Sequence, residues 1–236
     1  MSEQSLMSTR AATRVAWFGK LPALGDFVGR RMPHALGEVW DYWLRCGMEQ
    51  LRNEALEQWP QRFVQTPPWF FVAPARVTGS PVCGVVAPSV DRVGRYYPIA
   101  ILAVARDAGA TFASDAALSQ FFGGARAAIV DARRLPLNAE DLDVRLSELV
   151  WPFAEAHATR QDTLIGELLA DLNAVSDWGG QPVTLPSIAW RDVANTRSES
   201  SVWWVSPTPG NSYEEVVHHG AFHRTLFTRL FHGTAR

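Results

Sequence analysis

The sequence predicts an α/β chain: a three-layer α/β/α sandwich around a mixed sheet that contains an antiparallel meander. Three observations carry this. Short runs rich in Val, Ile, Phe and Trp occur near both ends of the chain and in its middle. Longer stretches with apolar residues at helical spacing bracket them. The Gly/Pro turns between the three central runs are too short for a crossover helix, so these strands are mutually antiparallel.

Residues 1–12 show no apolar period and read as a disordered tail, which leaves 13–236 as a single domain. Residues 15–18 form an apolar run ended by Gly19, a first strand, and a loop follows through Pro22 and Gly25. Pro33 suits the first position of a helix. Leu36, Val39, Trp40, Trp43, Leu44, Met48, Leu51 and Ala55 then fall on one helical face, and the pattern stops at Trp59-Pro60. Strands follow over 69–73, 82–87 and 98–104, the last two apolar enough for burial on both faces. Ser114 caps a helix through Leu118, Phe121, Phe122, Ile129 and Val130, with Gly123-Gly124 as a weak point. Asn138 with Asp141 caps the next, which carries Leu142, Leu146, Leu149 and Val150. Thr159 with Asp162 opens another on Leu164, Ile165, Leu168, Leu169 and Leu172. Residues 176–200 are polar and broken by Gly and Pro, a mobile loop. Residues 201–205 make a short aromatic strand, and a last helix from about Gly220 turns Phe222, Leu226, Phe227, Leu230 and Phe231 inward.

Composition narrows the function. With 47% apolar and 19% charged residues, the chain is globular rather than disordered. Lys+Arg 22 against Asp+Glu 24 gives a net charge of −2, which lacks the positive field of a non-specific nucleic-acid binder. Cys46 and Cys83, the only cysteines, exclude a disulfide framework and a four-cysteine zinc site. No apolar core like that of a signal peptide and no membrane-span-length apolar window occur, so a cytoplasmic chain is expected. Among the 22 basic residues only Lys20 is lysine. A lysine retained among arginines fits a place that needs a compact ammonium rather than a planar fork.

The familiar catalytic signatures fail. Gly19-Lys20 ends like a phosphate-binding loop, but the earlier glycine is missing and Leu21 stands where a Mg²⁺-coordinating hydroxyl belongs. There is no Gly-x-Ser-x-Gly elbow, and Ser89 has no identifiable base. Cys46, within the first helix, and Cys83, on a buried strand, read as packing thiols. His219 and His223 share a helix face, as two zinc ligands do, only if the last helix already begins there. Without the Glu of His-Glu-x-x-His or a third ligand, they read with His218 as solvated histidines. No catalytic residue, metal ligand or cofactor is assigned.

Two polar clusters interrupt apolar runs. The first, Gly19-Lys20-Leu21-Pro22-Ala23-Leu24-Gly25-Asp26-Phe27-Val28, follows the first strand. The second, Pro88-Ser89-Val90-Asp91-Arg92-Val93-Gly94-Arg95-Tyr96-Tyr97-Pro98, turns between two central strands. Charges at the ends of buried strands are costly unless paired. Lys20, Asp26, Asp91, Arg92 and Arg95 therefore form either an ion-pair network that braces the loops or a recognition site. In both cases the two loops should meet at one edge of the sheet.

These residues carry a family resemblance. Trp17-Phe18-Gly19-Lys20-Leu21-Pro22, Gly25-Asp26-Phe27-Val28, Arg30-Arg31 and Trp40-Asp41-x-Trp43-Leu44 resemble the opening of the TagF family of type VI secretion-associated proteins. The 88–98 cluster is similar to that family's second signature, and Ser201-Val202-Trp203-Trp204 to its Ser-aromatic stretch. The resemblance implies a non-enzymatic cytoplasmic regulator that represses type VI secretion after translation by binding a forkhead-associated scaffold protein. The expected binding residues are Lys20, Asp26, Asp91, Arg92 and Arg95, with the aromatic strand at Trp203 and Trp204 as a further candidate. The surfeit of Trp and Arg, side chains enriched in binding hot spots, suits such a role. Two alternatives stand beside it: an anion or nucleotide sensor using Lys20, Arg92 and Arg95, and a hydrolase using Asp26 or Asp91.

Overall fold

A computed structural model describes residues 14–135, 137–154, 183–193, 195, 197–207 and 212–232. The tail expected at 1–12, the helix expected from Thr159 and the first part of the loop expected at 176–200 lie outside the described residues. Seven strands form one sheet: β1 (Ala16–Lys20), β2 (Phe27–Arg30), β3 (Trp69–Ala73), β4 (Val82–Ala87), β5 (Ile99–Val104), β6 (Ser200–Val205) and β7 (Glu214–His219). Their order is β2-β1-β5-β4-β3-β6-β7. Every pairing is antiparallel, so the sheet is not mixed as the sequence suggested. The long connections do carry helices, but none joins neighbouring strands of the same sense: β2 and β3 run the same way with three strands between them, and the connection from β5 to β6 reverses the chain.

The helices are α1 (His34–Ala55), α2 (Trp59–Gln65), the single turn α3 (Ala75–Thr78), α4 (Asp115–Arg134), α5 (Ala139–Leu146), the single turn α6 (Trp190–Val193) and α7 (Arg224–Leu230). They cover both faces of the sheet, which gives the expected three layers. Strand alternation decides which side chains go where. Trp17, Phe70, Val85, Ile101 and Trp204 join a core with α4 and α5 residues such as Phe121, Phe122 and Leu142. Phe71, Val86, Leu102 and Trp203 join a second core with Trp40, Trp43 and Phe227.

Local chemistry explains most boundaries. Ser114 Oγ accepts the Ala117 N–H at 3.0 Å and starts α4. Asn138 and Asp141 form a reciprocal capping box at the start of α5. Leu36, Trp40, Trp43, Leu44, Met48, Leu51 and Ala55 are the buried stripe of α1, but Val39 faces solvent. Trp59-Pro60 does not end this pattern. The chain leaves α1 at Ala55, and Pro60 sits in the first turn of α2, where its missing N–H is not needed. Gly123-Gly124 is not a weak point either: a Cβ at Gly124 would lie 2.4 Å from Leu149, so the glycine admits that side chain.

Two strands lack the expected apolar run. β2 lies where a loop was expected and alternates exposed with half-buried residues. β7 buries only Val216, and it precedes the last helix, which begins at Arg224 rather than Gly220. His219 and His223 therefore do not share a helix face. His219 ends β7 with Nδ1 2.6 Å from Ser200 Oγ, whereas His223 caps α7.

The second core is an aromatic stack: Phe71 lies 4.5 Å from Trp203, and Trp43 lies 5.1 Å from Trp40 and 5.5 Å from Trp203. Trp43 also donates Nε1–H to the His223 carbonyl at 3.0 Å. Trp40→Ala or Trp43→Ala is expected to cost about 3–5 kcal/mol, a transfer loss plus a cavity. Urea unfolding measures this; unchanged midpoints would place the stripe on a surface.

Candidate functional site

The pairing register dictates where the two polar loops meet. Gly19 stands opposite Ile99, so the loop that leaves β1 must pass the turn that enters β5. The approach is close: a Cβ at Gly19 would lie 2.2 Å from the Pro98 carbonyl oxygen, and its φ of +139° disfavours other residues. Ser89 Oγ donates to the Lys20 carbonyl at 2.8 Å, and the Arg92 N–H donates to the Leu24 carbonyl at 2.9 Å.

Asp91 sits at the centre of this junction, buried and fully bonded. Its Oδ2 accepts from Lys20 Nζ at 2.8 Å and from Arg95 Nε at 2.7 Å. Its Oδ1 accepts the backbone N–H groups of Val93 at 3.0 Å and Arg95 at 2.8 Å. Burial alone would push this carboxyl up. The Lys20 ammonium, the Arg95 and Val93 N–H groups and the Arg95 guanidinium outweigh it and hold the carboxyl far below the ordinary carboxylate range. The Lys20 ammonium is buried too, 4.6 Å from the Phe27 ring centroid. Arg95 reaches on to the Gly25 carbonyl.

Five charged residues were expected here, and three of them form the knot. Lys20 and Arg95 both bond Asp91, whereas Asp26 and Arg92 lie exposed beside them with no side-chain ion pair among the described residues. Trp203 and Trp204 do not belong to any surface. Both are fully buried, on opposite faces of the sheet, with Nε1–H groups bonded to Ser201 Oγ and the Thr184 carbonyl. The aromatic strand is core because β3 and β7 flank it and helices cover both of its faces.

Two features escaped the sequence. Asp143 of α5 accepts from Trp17 Nε1 at 2.8 Å and Arg30 Nη1 at 2.7 Å, and also from Arg31, which pins the edge strand β2 to α5. Desolvation opposes the Asp143 charge, but these donors prevail and keep its carboxyl low. The second feature is an open groove of about 800 Å³ beside the knot, lined in part by Phe27, Arg45, Arg52, Trp59, Arg95 and Tyr96. Its only sequence signal is that Asp41, Arg45 and Arg52 recur at helical spacing on α1.

The family model of the TagF N-terminal domain, type VI secretion system-associated, matches residues 16–149. This span contains both polar loops, the knot and the groove. The chain belongs to the TagF N-terminal domain family. No curated protein matches it. Among solved structures, PA0076 from Pseudomonas aeruginosa PAO1 superposes with a TM-score of 0.65 at 24% identity, over 92% of this chain and 93% of that one. That likeness concerns the fold, and at 92% of this chain it extends past the family match. Among the described residues of this TagF-family chain, no helix is long and apolar enough to cross a membrane.

The knot predicts an order of costs. Asp91→Asn leaves the Lys20 ammonium buried against a ring, and should destabilise by about 3–5 kcal/mol. Lys20→Met leaves Asp91 with Arg95 and two N–H groups, and should cost less. Because the folded carboxyl lies below its unfolded value of about 3.9, its stabilisation is present above that pH and lost as pH falls below it. Urea midpoints across pH should show the gap between wild type and Asp91→Asn narrowing below about pH 4. A gap constant with pH would remove Asp91 from the charge balance.

Proposed function

We propose that this chain is a non-enzymatic cytoplasmic regulator that represses type VI secretion after translation by binding the system's forkhead-associated scaffold protein. Family membership supports the secretion-system setting. The observation that carries the regulatory reading is the saturation of Asp91. A carboxylate with four donors, held strongly acidic, has neither a free oxygen nor a suitable pKa for acid–base work. Asp26, the other candidate acid of a hydrolase, stands exposed with no side-chain partner among the described residues. The anion-sensor alternative loses support for a related reason. Lys20 is sealed on Asp91 and Arg95 is engaged with it, which leaves Arg92 as the cation of that trio with no ion-pair partner among the described residues.

What the knot does provide is a rigid platform. It fixes two loops that carry exposed Asp26, Arg92 and Val93 at one end of the sheet. Such charges act at the rim of an interface, where they govern encounter more than lifetime.

Overproduction of the chain should silence type VI secretion with transcript levels unchanged. Arg92→Glu should slow association with the purified scaffold several-fold, with the effect shrinking at high salt and the melting temperature unchanged. Surface plasmon resonance at two ionic strengths measures it. Secretion undiminished by overproduction, or no scaffold binding by the wild-type chain, would refute the reading.

A further inference from the structure

The groove beside the knot is uneven in charge. Arg45 and Arg52 project into it from α1, and neither has an ion-pair partner among the described residues. The Arg52 guanidinium lies 4.9 Å from the Trp59 ring centroid, and that of Arg45 lies 6.0 Å from the Tyr42 ring. Arg95 adds a third cation, shared with Asp91. Among the described residues Asp41 is the one acid of the lining; its Oδ1 accepts the Tyr97 hydroxyl at 3.0 Å, and its single negative charge is outnumbered by the three arginines. A positive groove thus opens on a chain whose net charge is −2.

The groove is also aromatic. Phe27 is 49% exposed, yet its ring is held edge-on to Tyr97 at 4.6 Å and stacked on Phe18 at 6.5 Å. Trp59 meets Tyr96 edge-on at 5.3 Å. Rings fixed in this way lose little entropy when they are covered, which is the usual character of a binding anchor. Guanidinium groups lying over rings are similarly pre-positioned, and their planar forks match carboxylates.

We propose that this groove docks an acidic, extended peptide segment of a protein partner. Its carboxylates pair with Arg45 and Arg52, and an apolar side chain covers Phe27 and Trp59. This rests on the regulatory reading above and supplies the surface by which the scaffold is held. The volume, about 800 Å³, lies within the range of sites that enclose a ligand rather than a single ion. Lys20 contributes charge only indirectly, since its ammonium is turned onto Asp91.

The test uses the purified full chain and a fluorescent pool of dodecapeptides built from Asp, Glu, Leu and Phe, with a matched pool in which Lys and Arg replace the acids. The acidic pool should bind in a salt-sensitive manner and the basic pool should not. Arg45→Glu with Arg52→Glu should weaken binding about tenfold or more, with the melting temperature unchanged. Phe27→Leu, which keeps an apolar cover over Lys20, should weaken it several-fold with the melting temperature unchanged, as an uncharged check. Failure of the acidic pool to bind, or equal binding by the charge-reversed variant, would overturn the proposal. Competition by ATP or inorganic phosphate as strong as by unlabelled peptide would overturn it in favour of a simple anion site.

Scaffold capture separates this proposal from the reading it rests on. Full capture by both wild type and the charge-reversed chain refutes the groove and leaves the scaffold reading intact. Capture by neither, with the acidic pool still bound by wild type, refutes the scaffold reading and supports the groove as a peptide site.

Discussion

The surface of interest depends on one buried ion pair, the Lys20 ammonium on the Asp91 carboxylate at 2.8 Å. Taking two charges out of water is costly, and their attraction repays the cost only when every remaining donor and acceptor is also used. Asp91 meets that condition through Arg95 and two backbone N–H groups, and Lys20 adds the face of Phe27 to its bond with Asp91. The identity of the cation follows. A guanidinium needs room for a planar fork, whereas a compact ammonium fits between one carboxylate oxygen and an aromatic ring. This accounts for a single lysine in a chain whose other basic residues are arginine.

The pair in turn positions what lies outside it. It joins the loop after β1 to the turn before β5 and holds Phe27 at the first residue of β2. The arginine network on Asp143 secures the other end of that strand. Between these two clamps a four-residue edge strand, too short to be stable alone, presents a fixed aromatic ring to solvent. α1 supplies the facing wall, buried by its tryptophan stripe and charged on the side that carries Arg45 and Arg52.

The parts of this fold that the sequence discloses are those with local causes. The α1 stripe, the three central strands, Ser114 and the Asn138/Asp141 box each follow from periodicity or capping within a few residues. β2 and β7 do not, because edge strands bury little and are defined by a partner far away in the chain. The meeting of the two loops could be read because a short antiparallel meander restricts where its turns go. How deeply Lys20 and Asp91 are buried could not, and neither could the internal position of Trp203 and Trp204: exposed and buried aromatic strands look alike in one dimension. The groove was hidden for a related reason, since Phe27, Arg52 and Arg95 come from three separate segments that only tertiary packing brings together.

One ion pair organises both loops as a unit. Amide hydrogen exchange on the wild-type chain and Asp91→Asn, at a temperature where both are folded, tests it most directly. Residues 20–28 and 88–98 should lose protection together while β3, β4 and β6 keep theirs. Loss confined to residues 91–95, with 20–28 unchanged, would contradict it.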